Sequence, residues 1–132
     1  MAGKSVAQKL LIKPESSLWV SSEDHLARLG PLPAGVRRAT TPGDADAVVL
    51  FAADQASLRA GLASHGAEVA RAAIIWVAYP KGGRSDMNRD SLWPIVAELG
   101  LRPISQVAID ETWSALRFRP LAPGEPQFTG GR

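Results

Sequence analysis

The sequence predicts an α/β domain whose mostly parallel sheet is covered by helices on both faces and closed by an antiparallel hairpin. Two continuous apolar runs, at 47–52 and 73–79, carry the first part of that expectation. A strand that is apolar on successive residues needs cover on both faces, which is the situation of parallel strands. Helical patterns between the strands supply the crossovers that parallel neighbours require. The third observation is the connection Asp110-Glu111-Thr112 between two β-type runs, short enough that only a hairpin can use it.

From the N-terminus, 5–11 reads as a short helix ended by Lys13-Pro14-Glu15, and Leu18-Trp19-Val20 as a buried first strand. Ser21-Ser22-Glu23-Asp24 offers capping hydroxyls and early acids, and Leu26 and Leu29 follow at helical spacing. Gly30-Pro31 then stops a helix of about two turns. A second strand is placed at 36–39 between Pro33-Ala34-Gly35 and Thr41-Pro42-Gly43, and its poor apolar content puts it at a sheet edge. The 47–52 run is a central third strand. Asp54 caps a helix carrying Leu58, Leu62 and Val69, in which Gly61 and Gly66 are weak points where it could split.

The fourth strand, 73–79, ends at Pro80 and the loop Lys81-Gly82-Gly83-Arg84-Ser85. Leu92, Ile95, Val96 and Leu99 fall at i, i+3, i+4 and i+7 of a further helix, closed by Gly100. Pro94 sits in its first turn if Asp90 or Ser91 caps it. The hairpin strands are 104–109 and 113–119, with Arg117 and Arg119 alternating with Leu116 and Phe118. Residues 1–120 are expected to form a single domain, and 121–132, rich in Pro and Gly, a flexible tail.

Composition agrees with this outline. At 132 residues, 45% apolar and 21% charged, the chain has the balance of one globular domain and not of a disordered segment. Fifteen basic and 13 acidic residues leave a net charge of only +2, so the sequence pI of 9.4 gives little support for a nucleic-acid partner. No cysteine is present, which excludes a disulfide framework, a thiol nucleophile and thiolate metal ligation. Met1-Ala2-Gly3-Lys4-Ser5 is not followed by an apolar signal core, and no apolar run approaches the roughly 20 residues that span a bilayer. The expected location is the cytoplasm.

The element order β-α-β-β-α-β-α-β-β implies a Rossmann-like three-layer sandwich. It resembles the S-adenosylmethionine-dependent methyltransferase fold, whose last strand turns back antiparallel, and that resemblance implies the strand order 2-1-3-4-6-5. The 113–119 strand would then lie between the fourth strand and 104–109, with Trp113 beside the Tyr79–Lys81 turn and Arg117 and Arg119 towards the far end. The segments "LGPLPAGV" at 29–36, "ADAVVLF" at 45–51, "IIWVAYPKGG" at 74–83 and "IDETWSALRFRP" at 109–120 resemble the short bacterial proteins grouped as domain of unknown function 3052. That resemblance covers most of 5–120 and implies a bacterial source, with no activity and no catalytic residues to carry over.

No cofactor is expected. A methyltransferase of this fold needs a glycine-rich loop after the first strand and an acid at the end of the second. Here Val20-Ser21-Ser22-Glu23-Asp24 has no glycine, and Ala39-Thr40-Thr41 has no acid. Gly3-Lys4-Ser5 lacks the strand and the earlier glycine of a phosphate-binding loop, and no serine stands in a G-x-S-x-G setting. His25 and His65 each lack a second ligand at i+3 or i+4, so no metal is expected.

The crevice of an open α/β sheet lies outside the carboxyl ends of its parallel strands. That rule selects Ser21 and Ser22, Ala53 and Asp54, the 81–86 loop and the hairpin turn, and makes Tyr79, Lys81, Asp86, Asp110, Glu111 and Trp113 the ligand-binding candidates. The same residues also have a purely structural reading, in which Lys81 pairs with Asp110 or Glu111 and Trp113 plugs the end of the core. Trp19, Trp76 and Trp93 read as core, and Arg37, Arg38, Arg117 and Arg119, which could touch phosphates, read as solvated surface. The functional expectation is a non-enzymatic binding or interaction module for a small molecule or a protein. The alternative is a small-molecule or nucleotide-binding enzyme related to methyltransferases.

Overall fold

The computed structural model describes residues 5–81 and 89–126. A single helical turn, α1 (Val6–Lys9), is closed by a capping box: the Gln8 amide donates to Ser5 Oγ, and the Ser5 amide donates to Gln8 Oε1. Then follow β1 (Ser17–Val20), a 3₁₀ helix Glu23–Leu29, β2 (Arg37–Arg38), a 3₁₀ turn Pro42–Asp44, β3 (Ala47–Phe51), α2 (Gln55–Val69) and β4 (Ile74–Pro80). The chain continues through α3 (Arg89–Ala97), β5 (Leu101–Ala108) and β6 (Trp113–Pro120).

The six strands form one sheet in the order β2-β1-β3-β4-β6-β5. Strands β2, β1, β3 and β4 are parallel, whereas β6 runs antiparallel to both β4 and β5. Pairing of Ile75 with Phe118 through Pro80 with Trp113 inserts β6 between β4 and β5, as the methyltransferase-like order requires. Trp113 therefore stands beside the end of β4, and the Lys81 amide donates to the Thr112 carbonyl at 2.8 Å.

Alternation along the strands divides the core into two layers. Towards α2 and α3 point Trp19, Val48, Leu50, Val77, Tyr79, Leu116 and Phe118, packed on Leu58, Val69, Leu92, Ile95 and Val96. The opposite face presents Leu18, Val20, Val49, Phe51, Trp76, Ala78, Trp113 and Ala115 to α1 and Leu29. All five residues of β3 are buried, the cover on both faces that its unbroken apolar run demands. The Trp76 indole crosses its layer to donate to the Leu10 carbonyl at 2.9 Å, tying α1 to the sheet.

Several local expectations are corrected. The two turns after β1 are 3₁₀ and not α: spacing of three, as between Leu26 and Leu29, satisfies either geometry. Gly61 and Gly66 do not split α2. A Cβ at Gly61 would stand 3.1 Å from Leu50 Cδ1 and one at Gly66 3.3 Å from Leu99 Cδ1, so the glycines let the helix approach its neighbours closely. Helix α3 already includes Arg89, which places Pro94 in its interior and outside the first turn. Strand β5 starts at Leu101, directly after Gly100 at φ +79°, three residues ahead of the expected 104. Just beyond β6 the Leu121 amide donates to the Gly100 carbonyl. No described helix is long and apolar enough to cross a membrane.

Candidate functional site

Of the residues expected to bind a ligand, Tyr79 and Trp113 face opposite sides of the sheet. Tyr79 pairs with Ser114 across β4 and β6, whereas Trp113 pairs with Pro80, and consecutive positions in a strand face opposite sides. Tyr79 is buried towards α2 and α3, its hydroxyl accepting from Gln106 Nε2 at 2.9 Å. Trp113, only 6% exposed, lies in the other layer. Lys81 is half-buried, Glu111 is exposed at the hairpin tip, and Asp86 lies outside the described residues.

Asp110 organises the turn. Its Oδ1 accepts from the amides of Thr112 and Trp113, both at 2.8 Å, and its Oδ2 accepts from Arg28 Nη1 at 2.9 Å. Burial pushes this carboxyl up, but the two amides and the Arg28 guanidinium outweigh it and hold Asp110 below the usual carboxylate range. The partner of Asp110 is thus Arg28, from the 3₁₀ helix, in place of the expected Lys81.

Around that pair an aromatic cluster joins three elements. The His25 ring stacks on Phe51 at 4.5 Å and meets the edge of Trp113 at 4.8 Å, and the Arg28 guanidinium lies 5.7 Å from the Trp113 ring centre. Arg28 Nε donates to His25 Nδ1 at 3.0 Å, which leaves the imidazole proton on Nε2. Burial and the Arg28 charge push the His25 pKa below its ordinary value, with Asp24 and Asp110 opposing, so His25 is neutral near pH 7.

His25 also walls a cleft of about 360 Å³ at the carboxyl ends of β1 and β3. Ser21 and Ser22 line one side, Phe51 and Ala53 the floor, and Ser57, Ser64 and His65 of α2 the other side. The strand order reverses between β1 and β3, so this is the topological switch point, where open α/β sheets take their ligands. Ser21 Oγ accepts from the Phe51 amide at 2.8 Å and holds the two strand ends together beneath it. Among the described residues, the cleft lining carries hydroxyls and imidazoles but no carboxylate, lysine or arginine.

Ser21, Ser22 and Ala53 follow from the strand-end rule applied to the sequence. His25, Ser57, Ser64 and His65 do not, although the expected order 2-1-3-4 already names the β1/β3 junction as the switch point. Among the described residues no three His, Cys, Asp or Glu side chains gather as a metal site.

No family model matches the chain, and no curated protein is similar to it in sequence. Among solved structures, a protein in the NADB-Rossmann superfamily from Streptococcus agalactiae superimposes with a TM-score of 0.58 over 98% of this chain and 72% of that one, at 9% identity. The fold is Rossmann-like. At that identity the likeness concerns the fold and brings no ligand with it.

A Rossmann-like sheet that holds a dinucleotide offers glycine-flanked amides to the pyrophosphate after β1 and an acid to the ribose at the end of β2. Here the charges are reversed. Glu23 and Asp24 occupy the first turn after β1, and Arg38 stands at the end of β2. The two positions close on each other in a fork, Arg38 Nη1 donating to Glu23 Oε2 at 3.1 Å and Nη2 to Oε1 at 2.8 Å. At the start of α2 the Ser57 amide is taken by the Asp54 carboxylate at 2.8 Å. These residues do not fit a dinucleotide, whose pyrophosphate would face two acids.

Proposed function

We propose that this Rossmann-like chain is a non-enzymatic binding module that takes a small polar ligand in the cleft between the 3₁₀ helix and α2. The observation that carries the reading is the Glu23–Arg38 fork, in which the chain's own groups close the two positions where the fold ordinarily grips a nucleotide. The cleft volume of about 360 Å³ falls within the ordinary range for small-molecule sites, and its mixed hydroxyl, imidazole and aromatic lining suits hydrogen bonding to an uncharged ligand. Neutral His25, its Nδ1 engaged by Arg28, offers Nε2 as a donor. A bacterial source and kinship with the domain 3052 proteins belong to the same proposal, supported by the four segments quoted above, and a cytoplasmic location is proposed with them.

A thermal-shift screen tests the reading. A ligand present at a hundred times its Kd stabilises the folded chain by about 2.7 kcal/mol, enough to move the Tm by several degrees. Uncharged polar metabolites are expected to supply the hits, and His25→Ala and Ser64→Tyr to abolish them. Saturable stabilisation by S-adenosylmethionine or a nicotinamide dinucleotide would overturn the proposal in favour of a cofactor-dependent enzyme.

A further inference from the structure

At the end of the sheet opposite the cleft, arginines gather on one face. Leu116 and Phe118 point towards α2 and α3, so Arg117 and Arg119 occupy the other face of β6. Arg102 of β5 stands directly across from Arg119 in the ladder. Like charges opposed across an antiparallel pair repel, and here both reach for one carboxylate. Arg119 forks onto Glu125, Nη1 to Oε1 at 2.9 Å and Nη2 to Oε2 at 2.8 Å, while Arg102 Nη1 donates to Oε2 at 2.6 Å.

Glu125 comes from the turn that follows β6, where the Ala122 amide also donates to its Oε1 at 2.8 Å. Its side chain is only 17% exposed, enclosed by the two guanidiniums. The Arg119 guanidinium, the Ala122 amide and Arg102 hold the Glu125 carboxyl down at about 2, so it stays ionised. Arg117, two positions along the same face, has a buried Nε with no acceptor among the described residues. Among the described residues, Glu125 accepts from two of the three guanidiniums on this face, and the buried Nε of Arg117 finds no oxygen.

We propose that Arg102, Arg117 and Arg119 form a phosphate-binding site in which Glu125 is the chain's own stand-in, displaced when a phosphate-bearing ligand arrives. A phosphate brings a second charge and more acceptor oxygens than a carboxylate, and it matches the guanidinium fork. Among the described residues, the hydrogen bonds that tie the 122–125 turn to the strands are those of Glu125 with Arg102 and Arg119, so displacement is a swing of this turn away from them.

Calorimetric titration with inorganic pyrophosphate tests this. The parent chain is expected to bind weakly, Glu125→Gln at least about tenfold more tightly, and Glu125→Gln combined with Arg119→Ala not at all. Equal affinity in the parent and Glu125→Gln would overturn the proposal, as would binding that survives Arg119→Ala. A short single-stranded oligonucleotide whose binding also needs Arg119 would support the same chemistry and place the phosphate in a polymer. A measurement on the unaltered chain guards against a variant that fails to fold: the Glu125 side-chain carboxyl carbon resonance should move as millimolar pyrophosphate is added. A resonance that stays in place to saturation would show that Glu125 is no stand-in.

Discussion

Replacing Asp110 by alanine removes the acceptor of two backbone amides and the partner of Arg28 in one step. Each amide-to-carboxylate bond is worth about 1–1.5 kcal/mol at a site that is one-third exposed. The Arg28 pair, with side chains 37% and 33% exposed, adds only about 0.2–1 kcal/mol. The expected loss is therefore about 2–4 kcal/mol, or a fall in Tm of roughly 8–16 °C for a domain of this size. Asp110→Asn keeps an oxygen for the two amides and gives up the ion pair, so it should lose no more than about 1 kcal/mol. Thermal melts followed by far-ultraviolet circular dichroism distinguish the two. An Asn variant as damaged as the Ala variant would show that the ion pair, and not the turn, is what Asp110 supplies. An Ala variant as stable as the parent would remove the structural role altogether.

Leu50→Ala should lower stability by about 2–5 kcal/mol in a urea titration, since Leu50 is 3% exposed and fills the space left by Gly61. Trp76→Phe leaves the Leu10 carbonyl without its indole donor in a buried layer, and should cost about 1–3 kcal/mol while leaving the far-ultraviolet spectrum unchanged. Because the folded-state pKa of His25 is lowered, its contribution to stability is present in full above the unfolded value of 6.5 and is lost as pH falls through the folded value. The urea midpoint should fall between pH 7.5 and 5.5, and His25→Phe should flatten that slope. Glu125 titrates well below this window, so it does not contribute to the slope.

The strand framework was legible because it rests on local pattern. The unbroken apolar runs of β3 and β4 announce burial on two faces, and the Asp110-Glu111-Thr112 turn permits only a hairpin. Strand order came from the resemblance to a methyltransferase-like sheet, and the antiparallel β4-β6-β5 ladder agrees with it. Helix geometry was less legible. Spacing of three between Leu26 and Leu29 does not separate 3₁₀ from α, and nothing local to Pro94 revealed that α3 begins before Asp90.

The candidate site is legible in the sequence only in part, for two physical reasons. Choosing residues by the strand end they follow ignores the alternation that sends Tyr79 to one layer and Trp113 to the other. The partners that matter are also remote in sequence: Arg28 and Asp110 are 82 positions apart, and the facing walls of the cleft come from the 3₁₀ helix and from α2. His25 and His65 look solitary along the chain because their neighbours, Phe51 and Trp19, arrive from other elements.

The most direct test of the central claim, that the nucleotide grip of this Rossmann-like sheet is closed by its own ion pair, is an amide chemical-shift titration with a nicotinamide dinucleotide and with S-adenosylmethionine. With Glu23 paired to Arg38 and two acids in place of glycine-flanked amides after β1, neither ligand at millimolar concentration should move the amides of Ser21, Ser22, Glu23 and Arg38 in a saturable way. Saturable shifts centred on those four amides, at micromolar concentrations of either ligand, would contradict it.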